Sequence, residues 1–392
     1  MKGFMVAGNT QQRKAIALAL IARLKNMGYR VMPFKTGPDY AHPSHPSLLA
    51  KTAAENLDIF TMGRNGVRYV YSRKKDEFDF AVVEGERNIA ESKEIAEVLN
   101  LPVIAVVECN EAIKVIAGKT LLGRIPRLSE VEIQRKQLAG ARFEDELNLG
   151  VEKLLEIAQY LNIEGIIKLG RECKFEVKNT QKEVENKPVI GVARDQAFCF
   201  YHPYNLEELE RRAQIIYFSP LNDELPEVNG LLIGGGYPEL YAEQLSRNKQ
   251  MLQVIKKAAE EGMPIYGECG GLIYLSQWIE IKGKRYEMAG VVPVNIKMGQ
   301  KLAGYVELRA RENCIIAEEG DILRGHEYHY SRAYVEDDVK FAFEVKRGEG
   351  IAGKKDGIIA QNTIAQYTHI HAVAHPRFFE RFWQASVQYA RR

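Results

Sequence analysis

The chain has 392 residues, of which 46% are hydrophobic and 27% charged, and its formal net charge is +2. This length allows two α/β domains with cores of their own. The near-neutral charge, without a basic run interleaved with aromatic residues, gives no indication of nucleic-acid binding. Five scattered cysteines favour a reducing compartment over a disulfide framework. Because no signal-like or membrane-spanning apolar run is seen, we expect a cytoplasmic protein that does not bind a membrane.

The first half of the sequence alternates apolar strands with a helical pattern. Residues 3–7 predict a buried strand, and residues 13–27 predict a helix with an apolar stripe that includes Ile16 and Leu20. Further buried strands are predicted at residues 31–34, 80–83 and 102–107. Buried strands separated by helices are typical of a parallel sheet that is covered on both faces.

The second half repeats this alternation after a charged segment. Residues 171–187 are weakly apolar and lack a clear period, which predicts a linker near residue 180 and domains at 1–180 and 188–392. Buried strands are then predicted at 188–193, 215–218, 230–233 and 263–266, and strand-rich segments at 288–308 and 341–345.

Cys269 is the leading candidate for a nucleophile. It lies between the apolar run that ends at Tyr266 and a helical pattern that restarts after Gly270-Gly271, which predicts a sharp strand-to-helix turn. The glycines allow positive φ and close substrate approach, and a helix N-terminus favours thiolate over thiol. The alternative is a small buried apolar residue, which is the usual environment of a free cysteine.

His369 is the candidate base for this cysteine. It lies in an alternating segment, residues 365–371, that predicts a strand with its histidines on one face. A Cys–His pair from distant parts of a chain is the normal arrangement for acyl transfer by cysteine. The alternative is a metal pair at His369 and His371, but the chain has no Cys/His spacing typical of zinc.

Six motifs in order make the second half resemble the glutamine amidotransferase domain of the cobyrinic acid a,c-diamide synthases. The resemblance runs from residue 188 to about residue 376. The motifs are Ala193-Arg194-Asp195-Gln196-Ala197-Phe198, Phe218-Ser219-Pro220-Leu221-Asn222-Asp223, Gly234-Gly235-Gly236-Tyr237-Pro238-Glu239-Leu240, Gly267-Glu268-Cys269-Gly270-Gly271, Gly325-His326-Glu327-Tyr328-His329-Tyr330-Ser331 and Tyr367-Thr368-His369-Ile370-His371.

The resemblance implies a class I glutamine amidotransferase-like α/β domain. In this family Cys269 attacks the glutamine amide, His369 raises its nucleophilicity, and ammonia leaves. The resemblance further implies an oxyanion and glutamine site at Gly235, Gly236 and Gly270. Amidotransferases of this branch use a Cys–His pair without an acidic third member, so we assign no carboxylate to a triad. Two further motif histidines, His326 and His329, receive no catalytic role, and a structural hydrogen-bonding role is at least as good an interpretation.

The first half resembles the family's ATP-binding domain, which is similar to dethiobiotin synthetase. The motif Phe34-Lys35-Thr36-Gly37-Pro38-Asp39-Tyr40 and the strand-end residue Glu84 carry this resemblance. They imply that Asp39 helps to bind nucleotide and that Glu84 and Asp39 bind Mg²⁺. A carboxylate at the C-terminal end of a parallel strand is well placed for that role.

The phosphate-binding loop of this half departs from the P-loop pattern. It keeps Gly8 and Lys14, which we expect to bind nucleotide, but Arg13 replaces a glycine and Ala15 replaces the hydroxyl that binds magnesium. Positive charge at a helix start can still hold an anion, so we expect both ATP and Mg²⁺ as cofactors. The alternative is a solvated helix N-terminus that no longer binds nucleotide.

The resemblance implies a carbon–nitrogen ligase of cobalamin biosynthesis. Its expected reaction is glutamine- and ATP-dependent amidation of the a- and c-acetate carboxylates of cobyrinic acid, or of a related modified tetrapyrrole. The expected partners are glutamine and the carboxylated tetrapyrrole, and a homodimer is left open. Three alternatives remain: the same amidation on nickel-sirohydrochlorin or siroheme, a glutaminase that supplies ammonia to another subunit, and a non-catalytic tetrapyrrole-binding protein.

Overall fold

A computed structural model of the protein describes residues 1–8, 12–37, 44–86, 89–109, 112–126, 143–176, 187–336 and 338–392. The chain divides into two units, Met1–Asn179 and Thr180–Arg392. Each unit has its own buried apolar core. In the described ranges, no helix is long and apolar enough to cross a membrane.

The N-terminal unit is built on parallel strands that run in the order β3-β2-β4-β1-β5. These are β1 (Lys2–Ala7), β2 (Val31–Thr36), β3 (Glu55–Leu57), β4 (Phe80–Glu84) and β5 (Val103–Glu108). The helices are α1 (Gln12–Asn26), α2 (Ser44–Ala50), α3 (Ile59–Ser72), α4 (Ile89–Leu99), α5 (Phe143–Gln159) and α6 (Ile163–Leu169). Helix α1 is buried along most of its length because nearly every residue from Ala15 to Leu24 is small or apolar.

Two features of this unit differ from the sequence-based prediction. The strands after β5, which are β6 (Ala112–Ala117) and β7 (Thr120–Pro126), form an antiparallel hairpin. A tight turn at Gly118, whose φ is 58°, can join only antiparallel neighbours. The predicted linker also begins too early, because Arg171–Glu172 forms strand β8 and pairs with β1.

The C-terminal unit has a parallel half with strand order β11-β9-β12-β14-β21. These strands are β9 (Val189–Ala193), β11 (Gln214–Phe218), β12 (Gly230–Ile233), β14 (Ile265–Glu268) and β21 (Thr363–Gln366). The helices are α7 (Pro203–Arg212), α8 (Ala242–Arg247), α9 (Lys249–Glu260), α10 (Gly270–Leu275) and α11 (Arg377–Ala390). The predicted α/β class with parallel sheets is thus confirmed.

Strands that pair mainly in antiparallel fashion extend this sheet beyond β21. They are β15 (Trp278–Ile281), β16 (Lys284–Glu287), β17 (Val294–Ala310), β18 (Ile322–Val335), β19 (Phe341–Arg347), β20 (Lys355–Ala360) and β22 (His369–Ile370). The exception is the parallel pair of β15 and β17. A separate pair joins β10 (Phe198–Phe200) to β13 (Gly235–Gly236). Strand β18 pairs with both β17 and β22, and its register places His326 opposite His369.

Close packing of α10 on β12 fixes the turn between β14 and α10. A methyl group added at Gly271 would lie 2.0 Å from the carbonyl oxygen of Ile233. The helix can approach the strand backbone this closely only because residue 271 has no side chain.

We therefore predict that Gly271→Ala forces α10 away from β12. Overpacking of this kind costs about 1–3 kcal/mol of unfolding free energy. The measurement is urea unfolding of the two variants Gly271→Ala and Gly304→Ala. The control residue Gly304 has no atom within 4 Å of an added methyl group. Equal stability of the two variants would contradict the packing described for α10.

Candidate active site

Cys269 occupies a strained backbone position between β14 and α10. Its φ is 51° and its ψ is −92°, which is rare for a residue with a side chain. Such conformations cost about 1–3 kcal/mol and concentrate at functional sites. The Cys269 amide donates to the carbonyl of Gln366 at 2.7 Å, and its Sγ lies 3.7 Å from the carbonyl oxygen of Tyr328. The neighbouring strands thus hold the turn in place.

His369 lies beside this cysteine and carries a strongly shifted pKa. Burial alone would lower the pKa of its imidazole, but the Cys269 thiolate, the Glu268 carboxylate and hydrogen bonds to both raise it to about 10. The imidazole is therefore protonated near neutral pH. A thiolate and an imidazolium form the reactive pair of a cysteine acyl-transfer site.

A carboxylate accompanies this pair, contrary to the expectation that none would. Glu268 Oε1 lies 2.8 Å from His369 Nδ1. The second oxygen, Oε2, accepts from the Tyr266 hydroxyl at 2.5 Å and from the Ile370 amide at 3.2 Å. The one sequence signal for Glu268 is its position directly before the predicted nucleophile, because its partner His369 lies 101 residues away.

The glycines predicted to bind glutamine lie against this pair. A methyl group added at Gly235 would be 2.6 Å from His369 Cε1. One added at Gly270 would be 3.0 Å from the Gly236 amide nitrogen. The structure therefore brings Gly235, Gly236 and Gly270 close to His369. The chain segments can approach this closely at Gly235 and Gly270 because these residues have no side chain.

The two motif histidines that received no role take up packing positions. The His326 ring stacks on that of His369 with centroids 5.0 Å apart. The His329 ring stacks on Tyr367 at 3.7 Å, and its Nδ1 lies 2.9 Å from the carbonyl oxygen of Ser331. Both rings therefore buttress the strands that carry the site.

His371 is separated from the reactive pair. The predicted strand through residues 365–371 is interrupted, because β21 ends at Gln366 and β22 contains only His369 and Ile370. The His371 ring packs against His202, with centroids 4.7 Å apart, and stacks on Tyr204. The two histidines of the alternative metal pair, His369 and His371, thus have different surroundings.

The buried carboxylate of Asp356 fixes the backbone of Tyr367 and Thr368, the two residues before His369. It accepts hydrogen bonds from the amides of Tyr367 and Thr368 at 3.1 and 3.2 Å and from the Thr368 hydroxyl at 2.6 Å. Burial raises the pKa of Asp356 above its usual value, and these hydrogen bonds oppose the shift. The backbone immediately before His369 is therefore fixed by one side chain.

The residues predicted to bind nucleotide lie in the N-terminal unit. Gly8 follows β1, Lys14 lies in the first turn of α1, and Glu84 ends the neighbouring strand β4. Asp39 lies outside the described residues. The parallel register of β1 and β4 places Gly8 and Glu84 at the same edge of the sheet.

The described residues at this edge do not fit a magnesium ion. The guanidinium of Arg13 lies 3.2 Å from Glu84 Oε1 and 3.3 Å from the carbonyl oxygen of Gly8. Ala15 supplies no ligand oxygen in its side chain. In the part of the chain that the structure describes, no group of three or more His, Cys, Asp or Glu side chains is arranged to hold a metal.

Comparison with known proteins relates both halves of the chain to one family. The model of the CobB/CobQ-like glutamine amidotransferase domain matches residues 189–377. The cobyrinate a,c-diamide synthase of Haloarcula marismortui is 33% identical over 95% of this chain and 96% of its own length. The enzymes of the same name from Archaeoglobus fulgidus and Methanosarcina acetivorans are 30% and 33% identical over 98% and 93% of this chain, and over 97% and 90% of their own lengths.

We predict that Asp356→Ala destabilises the C-terminal unit. The substitution leaves three donors on Tyr367 and Thr368 buried without their acceptor, and each such loss costs about 1–3 kcal/mol. We expect the unfolding free energy to fall by about 3 kcal/mol or more in a denaturant titration. The exposed residue Glu319, changed to Ala, is the control. If both variants unfold at the same denaturant concentration, Asp356 does not hold this segment.

Proposed function

Since the chain belongs to the cobyrinate a,c-diamide synthase family, we propose that it catalyses the glutamine- and ATP-dependent amidation of the a- and c-acetate carboxylates of cobyrinic acid. The reaction makes it a carbon–nitrogen ligase of cobalamin biosynthesis. The observation that carries this proposal is the identity with such synthases over nearly the whole of both chains. The geometry around Cys269 supports the glutamine half of the reaction.

Glutamine hydrolysis begins with the Cys269 thiolate. Its sulfur attacks the side-chain amide carbon of glutamine, so that a C–S bond forms and the carbonyl π electrons move to oxygen. The backbone N–H groups of Gly235, Gly236 and Gly270 are proposed to receive this oxyanion. The imidazolium of His369 then gives its proton to the amide nitrogen, and the C–N bond breaks to release ammonia. Water then attacks the glutamyl thioester and gives a proton to the neutral His369 ring, and the C–S bond breaks, which releases glutamate and restores the thiolate and the imidazolium.

Amidation is assigned to the N-terminal unit. ATP, when bound, would supply the phosphoryl group that converts an acetate carboxylate into an acyl phosphate, with ADP as the leaving group. Ammonia would then attack the acyl carbon and displace inorganic phosphate, which leaves the amide. Gly8 and Lys14 would hold its phosphates, because Lys14 places an ammonium group in the first turn of α1. Asp39, which lies beyond the described residues, remains a proposed nucleotide ligand.

The direct test of this function compares two nitrogen donors. We expect Cys269→Ser to lose glutamine-dependent amidation of cobyrinic acid and to retain ammonia-dependent amidation, because only the first requires a thiolate. Chromatography of the corrinoid products measures both rates. Cys314→Ser, which changes a cysteine outside the site, is the control and should keep both activities.

Two results would contradict the proposed function. The first is that wild-type protein fails to amidate cobyrinic acid, whether glutamine or ammonia is the nitrogen donor; the protein is then not this synthase. If it hydrolyses glutamine all the same, the protein is instead a glutaminase that supplies another subunit. Cys269→Ser that still uses glutamine at the wild-type rate would show that the nucleophile is elsewhere.

A further inference from the structure

Glu268 is held in one orientation inside the C-terminal unit. Its side chain is 9% exposed, and its two oxygens have different hydrogen-bond partners. The Tyr266 hydroxyl and the Ile370 amide both donate to Oε2, which leaves Oε1 directed at His369 Nδ1, 2.8 Å away. Gln366 Nε2 lies 3.2 Å from the Tyr266 hydroxyl oxygen, as a donor to it, so the Tyr266 proton is free to point to Glu268.

We propose that Glu268 is the positioning residue of the Cys269–His369 pair. Its carboxylate accepts the Nδ1 proton of His369, so that Nε2 is the ring nitrogen which exchanges a proton with the thiol and with the departing ammonia. Glu268, the residue directly before the nucleophile, is thereby the acidic third member of a triad with Cys269 and His369. This inference rests on the proposed hydrolysis of glutamine at Cys269.

The charges of the three residues agree with this arrangement. Burial of an isolated imidazolium is unfavourable, and an adjacent carboxylate offsets that cost because opposite charges attract more strongly away from water. The pKa of His369, which is raised to about 10 against the effect of burial, reflects the two anions beside it. Loss of the Glu268 charge should therefore lower the pKa of His369.

The test is a pH profile of glutamine hydrolysis for Glu268→Gln. The amide keeps the size of the side chain and an acceptor oxygen but removes the charge. A carboxylate that orients a catalytic histidine is worth about 10²–10⁴ in rate, so kcat should fall by that factor while KM changes little. The alkaline limb, where the imidazolium is lost, should move to lower pH because the carboxylate that raises the pKa of His369 is gone.

Two further variants separate positioning from folding. Tyr266→Phe removes one hydrogen bond from Glu268 without removing its charge, and should lower kcat by a smaller factor with the alkaline limb nearly in place. Glu344→Gln, which neutralises a surface carboxylate beside Arg311, should behave as wild type. If Glu268→Gln does not fold, the smaller loss in Tyr266→Phe decides the test.

The outcomes distinguish this inference from the proposed function. Wild-type kcat and an unmoved alkaline limb in Glu268→Gln, or an unchanged kcat in Tyr266→Phe, would overturn the role of Glu268. Cys269→Ser would still be inactive in that case, so glutamine hydrolysis at Cys269 would stand. Wild-type protein without glutaminase activity would instead contradict the proposed function.

A separate observation concerns the strand-end carboxylate Glu84. Its side chain and that of Arg13 are 6% and 12% exposed, and they form an ion pair at 3.2 Å. The same guanidinium donates to the Gly8 carbonyl. Burial and the Lys14 ammonium lower the pKa of His45 to about 4, against the influence of Glu84, so this ring is neutral near neutral pH.

We infer that the Arg13 guanidinium takes the place of a divalent cation at Glu84. A guanidinium stays protonated at any physiological pH, so the negative charge of Glu84 is neutralised permanently within the protein. A metal ion would have to displace Arg13 and leave that cation buried without its partner, which is costly. A glycine, which a P-loop normally has where this chain has Arg13, could not neutralise Glu84 because it has no side chain.

Binding of Mn²⁺, measured by electron paramagnetic resonance without nucleotide, tests this inference. We expect Arg13→Ala to bind Mn²⁺ at least about 10-fold more tightly than wild type, because the ion no longer competes with the guanidinium for Glu84. A tenfold change in the dissociation constant corresponds to about 1.4 kcal/mol of binding free energy. The double variant Arg13→Ala/Glu84→Gln should bind Mn²⁺ no more tightly than wild type. Arg64→Ala, which frees Glu94 from an exposed ion pair, is the matched control and should gain nothing.

Either of two results would overturn the inference. One is wild-type protein that binds Mn²⁺ as tightly as Arg13→Ala and loses the ion in Glu84→Gln. The other is Arg13→Ala that gains no affinity. Arg13→Lys, which keeps the positive charge, should resemble wild type and covers the case in which Arg13→Ala does not fold. None of these measurements depends on amidation.

Discussion

The hydrogen bond between Glu268 and His369 joins two chain segments that are 101 residues apart. It forms because β14 and β21 are parallel neighbours, so that the turn after one strand meets the residues that follow the other. The amide of Cys269 is bound to Gln366 across the same pair of strands. Nucleophile, histidine and carboxylate therefore share one sheet edge, where the α/β fold places its ligand sites.

The antiparallel half of the C-terminal unit supports this edge from the other side. Strand β18 pairs with β22 and stacks His326 on His369. Asp356, at the start of the strand that precedes β21, binds the backbone just before the histidine. A buried charge that is this well satisfied holds its neighbours firmly. The strained φ of Cys269 persists because these contacts stabilise the turn in this one backbone conformation.

Much of this arrangement could be predicted from the sequence, because buried parallel strands are continuous apolar runs. The runs at 230–233 and 263–266 predicted β12 and β14 to within two residues. Long-range polar partners could not be predicted in the same way. Glu268 forms its key contact 101 residues away, and Arg13 reaches Glu84 across 71 residues. Neither pairing follows from local periodicity, which reports burial and not partners.

The central claim is that Cys269 forms a covalent bond to the glutamyl group. Rapid acid quench of wild-type protein with glutamine, followed by peptide mass spectrometry, tests it most directly. The account predicts a transient glutamyl adduct on the peptide that contains Cys269, and a longer-lived adduct in Glu268→Gln because deacylation also needs an oriented histidine. An adduct on another cysteine, or steady turnover of glutamine with no adduct at any quench time, would contradict it.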